Sequence, residues 1–135
     1  MQLVVDSNIV FAALIKDSVT RRLFLHLNAE FFIIQTNYQE LEKYKKELLV
    51  KSGMNEASFN LLLEQLMRRC VLVENDALFE HWDDAKKLIL EVDVGDVPFV
   101  AAALVTGADI WSDDEHFTKQ KKIKIWKTAD LMEML

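Results

Sequence analysis

The sequence predicts an α/β fold, a three-layer sandwich around a central, mostly parallel five-stranded sheet. Three observations predict it. Short apolar runs recur along the chain, at Leu3-Val4-Val5, Phe31-Phe32-Ile33-Ile34, Cys70-Val71-Leu72-Val73, Asp109-Ile110-Trp111-Ser112 and Ile123-Lys124-Ile125-Trp126. Stretches with helical spacing of apolar residues separate them, and strands alternating with helices give a parallel sheet covered on both faces. The 135 residues are 51% hydrophobic with one Pro and three Gly, which suits one compact domain spanning 1–135 and leaves no visible linker or repeat.

The helices follow in order from their caps and stripes. Ser7 or Asn8 is available to cap a helix over 9–15, and Ser18 caps a second that carries Val19, Leu23, Phe24 and Leu27. Thr36 or Asn37 caps a long helix over 38–51, with Gly53 where a C′ glycine belongs. Asn55 starts another, with Phe59, Leu62, Leu63, Leu66 and Met67 as its apolar stripe, and these two helices read as a hairpin projecting from the sheet. Asn75 or Asp76 caps one helix running through Leu78, Trp82, Ala85, Leu88 and Ile89, and residues 91–96 form a loop. Val97-Pro98 opens an alanine-rich helix over 99–105 that Gly107 closes, and Thr128 caps a last helix through Leu131, Met132 and Leu135.

The formal net charge of −6 argues at first against a nucleic-acid partner. The objection depends on where the acids lie, because two divalent cations held by a carboxylate site would offset four of those charges. Lysines crowd two regions, Lys43 to Lys51 and Lys119 to Lys127, and solvated faces explain them as well as an RNA-binding edge does. The lone Cys70 has no disulfide partner within the chain, which suits a reducing compartment. The first residues enter a strand rather than a basic segment followed by an apolar run, and no apolar run approaches the roughly 18 residues of a membrane span. The expectation is a cytoplasmic protein with no membrane contact.

In an open parallel sheet, ligands bind beyond the carboxyl ends of the strands. Asp6 ends the first strand, and Asp114 follows the fourth by two residues. Asp96 precedes the helix leading into the fourth strand, and Glu40 stands early in the helix after the second. Four carboxylates meeting at one edge repel each other, so they must protonate or take a cation. Hard oxygen donors suit Mg²⁺ or Mn²⁺, ions that activate water and steady a leaving oxygen at phosphorus. Each acid also has a structural reading: Asp6 and Asp96 as helix caps, Asp113-Asp114 as turn residues, and Glu40 as a solvated neighbour of Glu42 and Glu47.

These residues also make the chain resemble the PIN-domain family, nearly end to end. Leu3-Val4-Val5-Asp6-Ser7-Asn8-Ile9-Val10 is similar to its opening motif, and Glu40-Leu41 to its second acidic position. Asp93-Val94-Gly95-Asp96-Val97-Pro98-Phe99, leading into small residues, resembles the third motif, and Ile110-Trp111-Ser112-Asp113-Asp114-Glu115-His116-Phe117 the fourth. The resemblance implies a Mg²⁺- or Mn²⁺-dependent ribonuclease that leaves a 5′-phosphate and a 3′-hydroxyl, with Asp6, Glu40, Asp96 and Asp114 as catalytic and metal-ligating acids. It implies Asn8 and Ser112 as supporting residues and Asp93 as an extra acid. Glu42 stands beside the second position, and Asp113 beside the fourth, as a further supporting acid. Many members are toxins of bacterial toxin–antitoxin pairs, so an antitoxin protein, an RNA substrate and a homodimer are implied partners.

Other chemistry fits less well. His26, His81 and His116 lack metal-ligand spacing with one another or with Cys70, and no Gly-rich phosphate loop exists. Trp111, Trp126, Tyr44 and Trp82 are expected in the core. An aspartyl-phosphate enzyme would want a second Asp two residues after Asp6, where Asn8 stands. An inactive PIN-like binding module is the remaining alternative, and the presence of all four acids argues against it.

Overall fold

The computed structural model describes residues 1–89 and 94–135. The element order is β1 (Gln2–Val5), α1 (Ser7–Ile15), α2 (Val19–His26), β2 (Glu30–Ile34), α3 (Gln35–Ser52), α4 (Glu56–Arg68), β3 (Cys70–Val73), α5 (Asn75–Phe79), α6 (Trp82–Leu88), α7 (Val97–Thr106), β4 (Asp109–Trp111), β5 (Ile125–Trp126) and α8 (Thr128–Met132). Short 3₁₀ turns at Val94–Asp96 and Glu115–Lys119 flank α7 and β4. The five strands form one sheet in the order β3-β2-β1-β4-β5, and every pairing is parallel.

Strand alternation splits the core into two layers, one on each face. Leu3, Val5, Phe31, Ile33 and Trp111 point to the face covered by α1, α2, α3, α4 and α8. Val4, Phe32, Ile34, Val73 and Ile110 point to the other, covered by α5, α6 and α7. The alanines of α7 explain its close seat: Ala101, Ala102 and Ala103 are buried, so the helix lies near β1 without a bulky side chain between. Among the described residues, no helix is long and apolar enough to cross a membrane.

The structure departs from the sequence expectations in several places. Helix α1 begins at Ser7 with Asp6 at its cap position, so neither Ser7 nor Asn8 caps it, and α5 begins at Asn75 with Glu74, not Asn75 or Asp76, at its cap position. Helix α3 begins at Gln35, immediately after β2, so neither Thr36 nor Asn37 is its cap. Asn37 instead occupies the first turn and accepts the Ile34 N–H through Oδ1 at 2.7 Å. The α3–α4 hairpin does not project; Phe59 and Leu66 of α4 enter the core beneath α1 and α2, because an apolar stripe gains more by burial than by exposure. The single helix expected through Leu78 and Ile89 is two, α5 and α6. Glu80 and His81 turn the chain between them, and Asp83 and Asp84 supply the acidic first turn that favours a new helix start. Strand β5 spans only Ile125–Trp126, because Gln120 holds the preceding loop by bonds to Phe117 and Ile123. Helix α8 ends at Met132 and has Lys127, not Thr128, at its cap position.

Candidate active site

Strand β1 has its successor β2 on one side and β4 on the other, so the chain reverses its winding between β1 and β4. Helices leave the sheet toward opposite faces there and a crevice opens beyond the strand ends. Val5 pairs with Trp111, and the Asp6 N–H continues the ladder to the Trp111 carbonyl at 3.1 Å. Asp6 and Ser112 thereby stand side by side, and the Ser112 hydroxyl donates to Asp6 Oδ2 at 2.8 Å.

Asp6, Glu40, Asp96 and Asp114 line one hollow of about 430 Å³, together with Asn8, Thr36, Lys43, Tyr44 and Phe99. Each carboxylate is placed by its own element. Asp6 takes the cap position of α1, and its carboxylate lines the hollow. Glu40 comes from the second turn of α3, where the Ser7 hydroxyl donates to Oε1 at 3.2 Å. Asp96 closes the 3₁₀ turn that leads into α7. Asp114 follows Ser112, whose Oγ accepts the Asp114 N–H at 3.0 Å.

Asn37 ties these pieces together. It is fully buried, and its Nδ2 donates to the Val5 carbonyl and to Ser7 Oγ, each at 3.1 Å. The chain Asn37–Ser7–Glu40 thus connects β1, α1 and α3 and reaches the hollow at Glu40. His116 approaches from the rim, its Nδ1 3.4 Å from Asp114 Oδ1 and 3.9 Å from Asp96 Oδ2.

The electrostatics show the strain of gathering acids. Burial pushes the Asp6 carboxyl above the ordinary carboxylate value, and the negative charges of Asp114 and Glu40 push it further. The Ser112 hydroxyl and the Asn8 backbone N–H pull partly the other way. Among the described residues no three His, Cys, Asp or Glu close on one point tightly enough to grip a cation unaided. The acids instead line an open hollow.

The two neighbouring acids of the sequence separate cleanly. Glu42 lines a different cleft between α3 and α4, with Tyr38, Leu41, Lys45, Leu63 and Met67. Asp113 is engaged elsewhere, accepting the Thr128 N–H and hydroxyl at 2.7 Å each and so fixing the start of α8. Asp93 lies outside the described residues. Trp111 is buried against Phe24 and Phe31, as expected, with Nε1 donating to Thr128 Oγ1. Tyr44, expected in the core, is exposed and lines the hollow. Sequence reasoning also missed Lys43 and Asn37. The signal for Lys43 and Tyr44 was present, since positions three and four beyond Glu40 share its helix face.

Two solved structures share this fold. A chain in the structure of VapBC2 from Rickettsia felis, bound to a DNA fragment from their promoter, superposes with a TM-score of 0.70 at 13% identity, covering 94% of this chain and 98% of that one. A chain of VapBC-1 from nontypeable Haemophilus influenzae gives 0.68 at 16% identity, covering 96% and 99%. Among curated proteins none matches the sequence. The sequence profile of the PIN domain matches residues 4–135, from the first strand of the sheet to the last residue and across all four acids of the hollow, and the chain therefore belongs to the PIN-domain family.

Proposed function

We propose that this protein is a divalent-metal-dependent ribonuclease acting as the toxin of a toxin–antitoxin pair. The observation that carries the proposal is the meeting of Asp6, Glu40, Asp96 and Asp114 in one hollow at the point where the sheet reverses its winding. Family membership supports nuclease chemistry, and the likeness to chains from VapBC toxin–antitoxin assemblies supports the pairing with an antitoxin.

The donor set fits Mg²⁺ or Mn²⁺: every candidate ligand is a carboxylate oxygen, and burial first, with repulsion from Asp114 and Glu40 after it, has raised Asp6. Asp6, Glu40, Asp96 and Asp114 would hold the ion, with Asp93 as an additional acid. Such an ion supplies an activated water and charge neutralisation at the phosphoryl oxygens. The chain's own residues prepare the site. Ser112 fixes one oxygen of Asp6, Ser7 orients Glu40, and Asn8 sits at the rim beside Asp6. Lys43 provides a cation for substrate phosphate where the hollow is otherwise negative. Cleavage would leave a 5′-phosphate and a 3′-hydroxyl, by analogy with the family. Action as a cytoplasmic homodimer belongs to the same reading, and a monomeric mass by light scattering across a wide concentration range would remove the dimer.

The test is incubation with structured and unstructured RNA in Mg²⁺ or Mn²⁺, against a chelator control. Cleavage by the wild type should require metal, and Asp6→Asn and Asp96→Asn should each lower it by at least about 100-fold with the circular dichroism spectrum unchanged. Undiminished cleavage by either variant removes that residue from the site.

A further inference from the structure

The acidic hollow does not end at Glu40. A second hollow of about 320 Å³ continues from it between α1 and α3, lined by Asn8, Phe11, Ile15, Glu40, Tyr44 and Leu48 among others. Asn8, Glu40 and Tyr44 belong to both hollows, so the two form one groove. Glu40, Lys43, Tyr44 and Leu48 follow the three- and four-residue spacing of a single helix face, which places cation and ring in sequence along it.

The character of the groove changes along its length. At one end lie carboxylates. Next comes Lys43, whose Nζ is 5.3 Å from the centre of the Tyr44 ring. Beyond it the walls are apolar, and the far end is kept near neutrality by the Glu47–Lys51 pair at 2.9 Å. Tyr44 is 37% exposed, and Phe11 packs against its ring edge-on with centroids 5.8 Å apart. A half-exposed aromatic ring packed against Phe11, beside the cation of Lys43, offers a nucleotide what its parts require, a flat platform for the base and a positive charge for the phosphate.

We infer that this groove seats one unpaired nucleotide next to the scissile phosphate, its base stacked on Tyr44 against Phe11 and its phosphate met by Lys43. The inference rests on the ribonuclease reading for the position of the scissile bond. A paired base cannot reach the platform, because its faces are already covered by its neighbours in the helix. Tyr44 and Lys43 are then positioning residues, which act on substrate binding and leave the carboxylates alone.

The probe is a fluorescein-labelled, unstructured oligoribonucleotide of about 12 nucleotides, read by anisotropy in Ca²⁺, with a duplex of the same sequence as competitor. Tyr44→Leu should weaken binding and raise KM about 10-fold with kcat nearly unchanged, and Tyr44→Phe should restore both. Lys43→Gln should weaken binding and flatten its dependence on salt. The duplex should compete poorly with the single strand for the wild type. Unchanged affinity and KM in Tyr44→Leu overturn the inference, as does undetectable binding by the wild type. Tyr44-dependent binding without any Mn²⁺-dependent cleavage would uphold the groove and sink the ribonuclease reading, so the two fail separately.

Discussion

Asp6 sits in the fold at a cost, and that cost has a sign. Its carboxyl is raised by burial first and by Asp114 and Glu40 after it, so its folded value lies above its unfolded one. A group shifted this way stabilises the fold at low pH and loses that contribution as pH rises through the folded value. The metal-free Asp6→Asn protein should therefore melt higher than wild type at pH 7, with the gap closing as pH falls toward 3.8, the ordinary value of an aspartate. Thermal melts in chelator at several pH values check this, and a gap that is constant with pH would contradict it. Cys70 shows the same physics on a thiol: burial pushes it up to about 12, with Arg69 opposing weakly. It should react with a disulfide reagent at pH 8 only slowly until denaturant is added. Single residues were legible where the motif itself fixed them, as with Asp6 and Ser112. The choice of Asp114 over Asp113 was not, because Thr128, 15 residues downstream of Asp113, captures that neighbour.

Among the elements, α3 serves both the core and the site. Leu41 is buried on its inner side, Glu40, Lys43 and Tyr44 face the groove, and the buried Leu48 reaches both. Removing Asn37 should disturb both roles. Asn37→Ala leaves the Ile34 N–H and the Val5 carbonyl without their side-chain partner and frees Ser7, at a cost of about 2 kcal/mol in a denaturant titration. It should also slow cleavage by letting Glu40 drift. Helix α7 ends on Gly107, whose φ of 72° is a left-handed conformation with open space around a would-be Cβ. Gly107→Ala should therefore cost about 1 kcal/mol from backbone conformation alone, with no clash to add to it. The glycine stop was readable from sequence, and so were the apolar runs of the strands. The break between α5 and α6 was not, since an apolar stripe looks the same whether one helix carries it or two short ones do. Nor was the immediate passage from β2 into α3, because Thr36 and Asn37 are good caps and only the fold shows that Ile34 already turns the chain.

For the whole molecule, one topological fact decides the site. β1 and β4 are adjacent and parallel, as the convergence of the acids required, and coordinates separating them would have dispersed the acids around the rim. The order β3-β2-β1-β4-β5 could not be read from the strands one by one, but the acidic positions implied that two of them must meet. A cation binding the folded hollow and not the unfolded chain should stabilise the entire domain, by about 2.7 kcal/mol at a concentration 100 times its dissociation constant. Mn²⁺ should raise the melting temperature of wild type, and the double variant Asp6→Asn/Asp114→Asn should not respond. The bond between Ser112 and Asp6 spans 106 positions of the chain. A ribosome delivers the first of these residues long before the last, and until β4 arrives the first strand lacks the neighbour that completes its pocket. A polypeptide that stops short of β4 accordingly lacks the partner that fixes Asp6, and its early acids stay apart from Asp114.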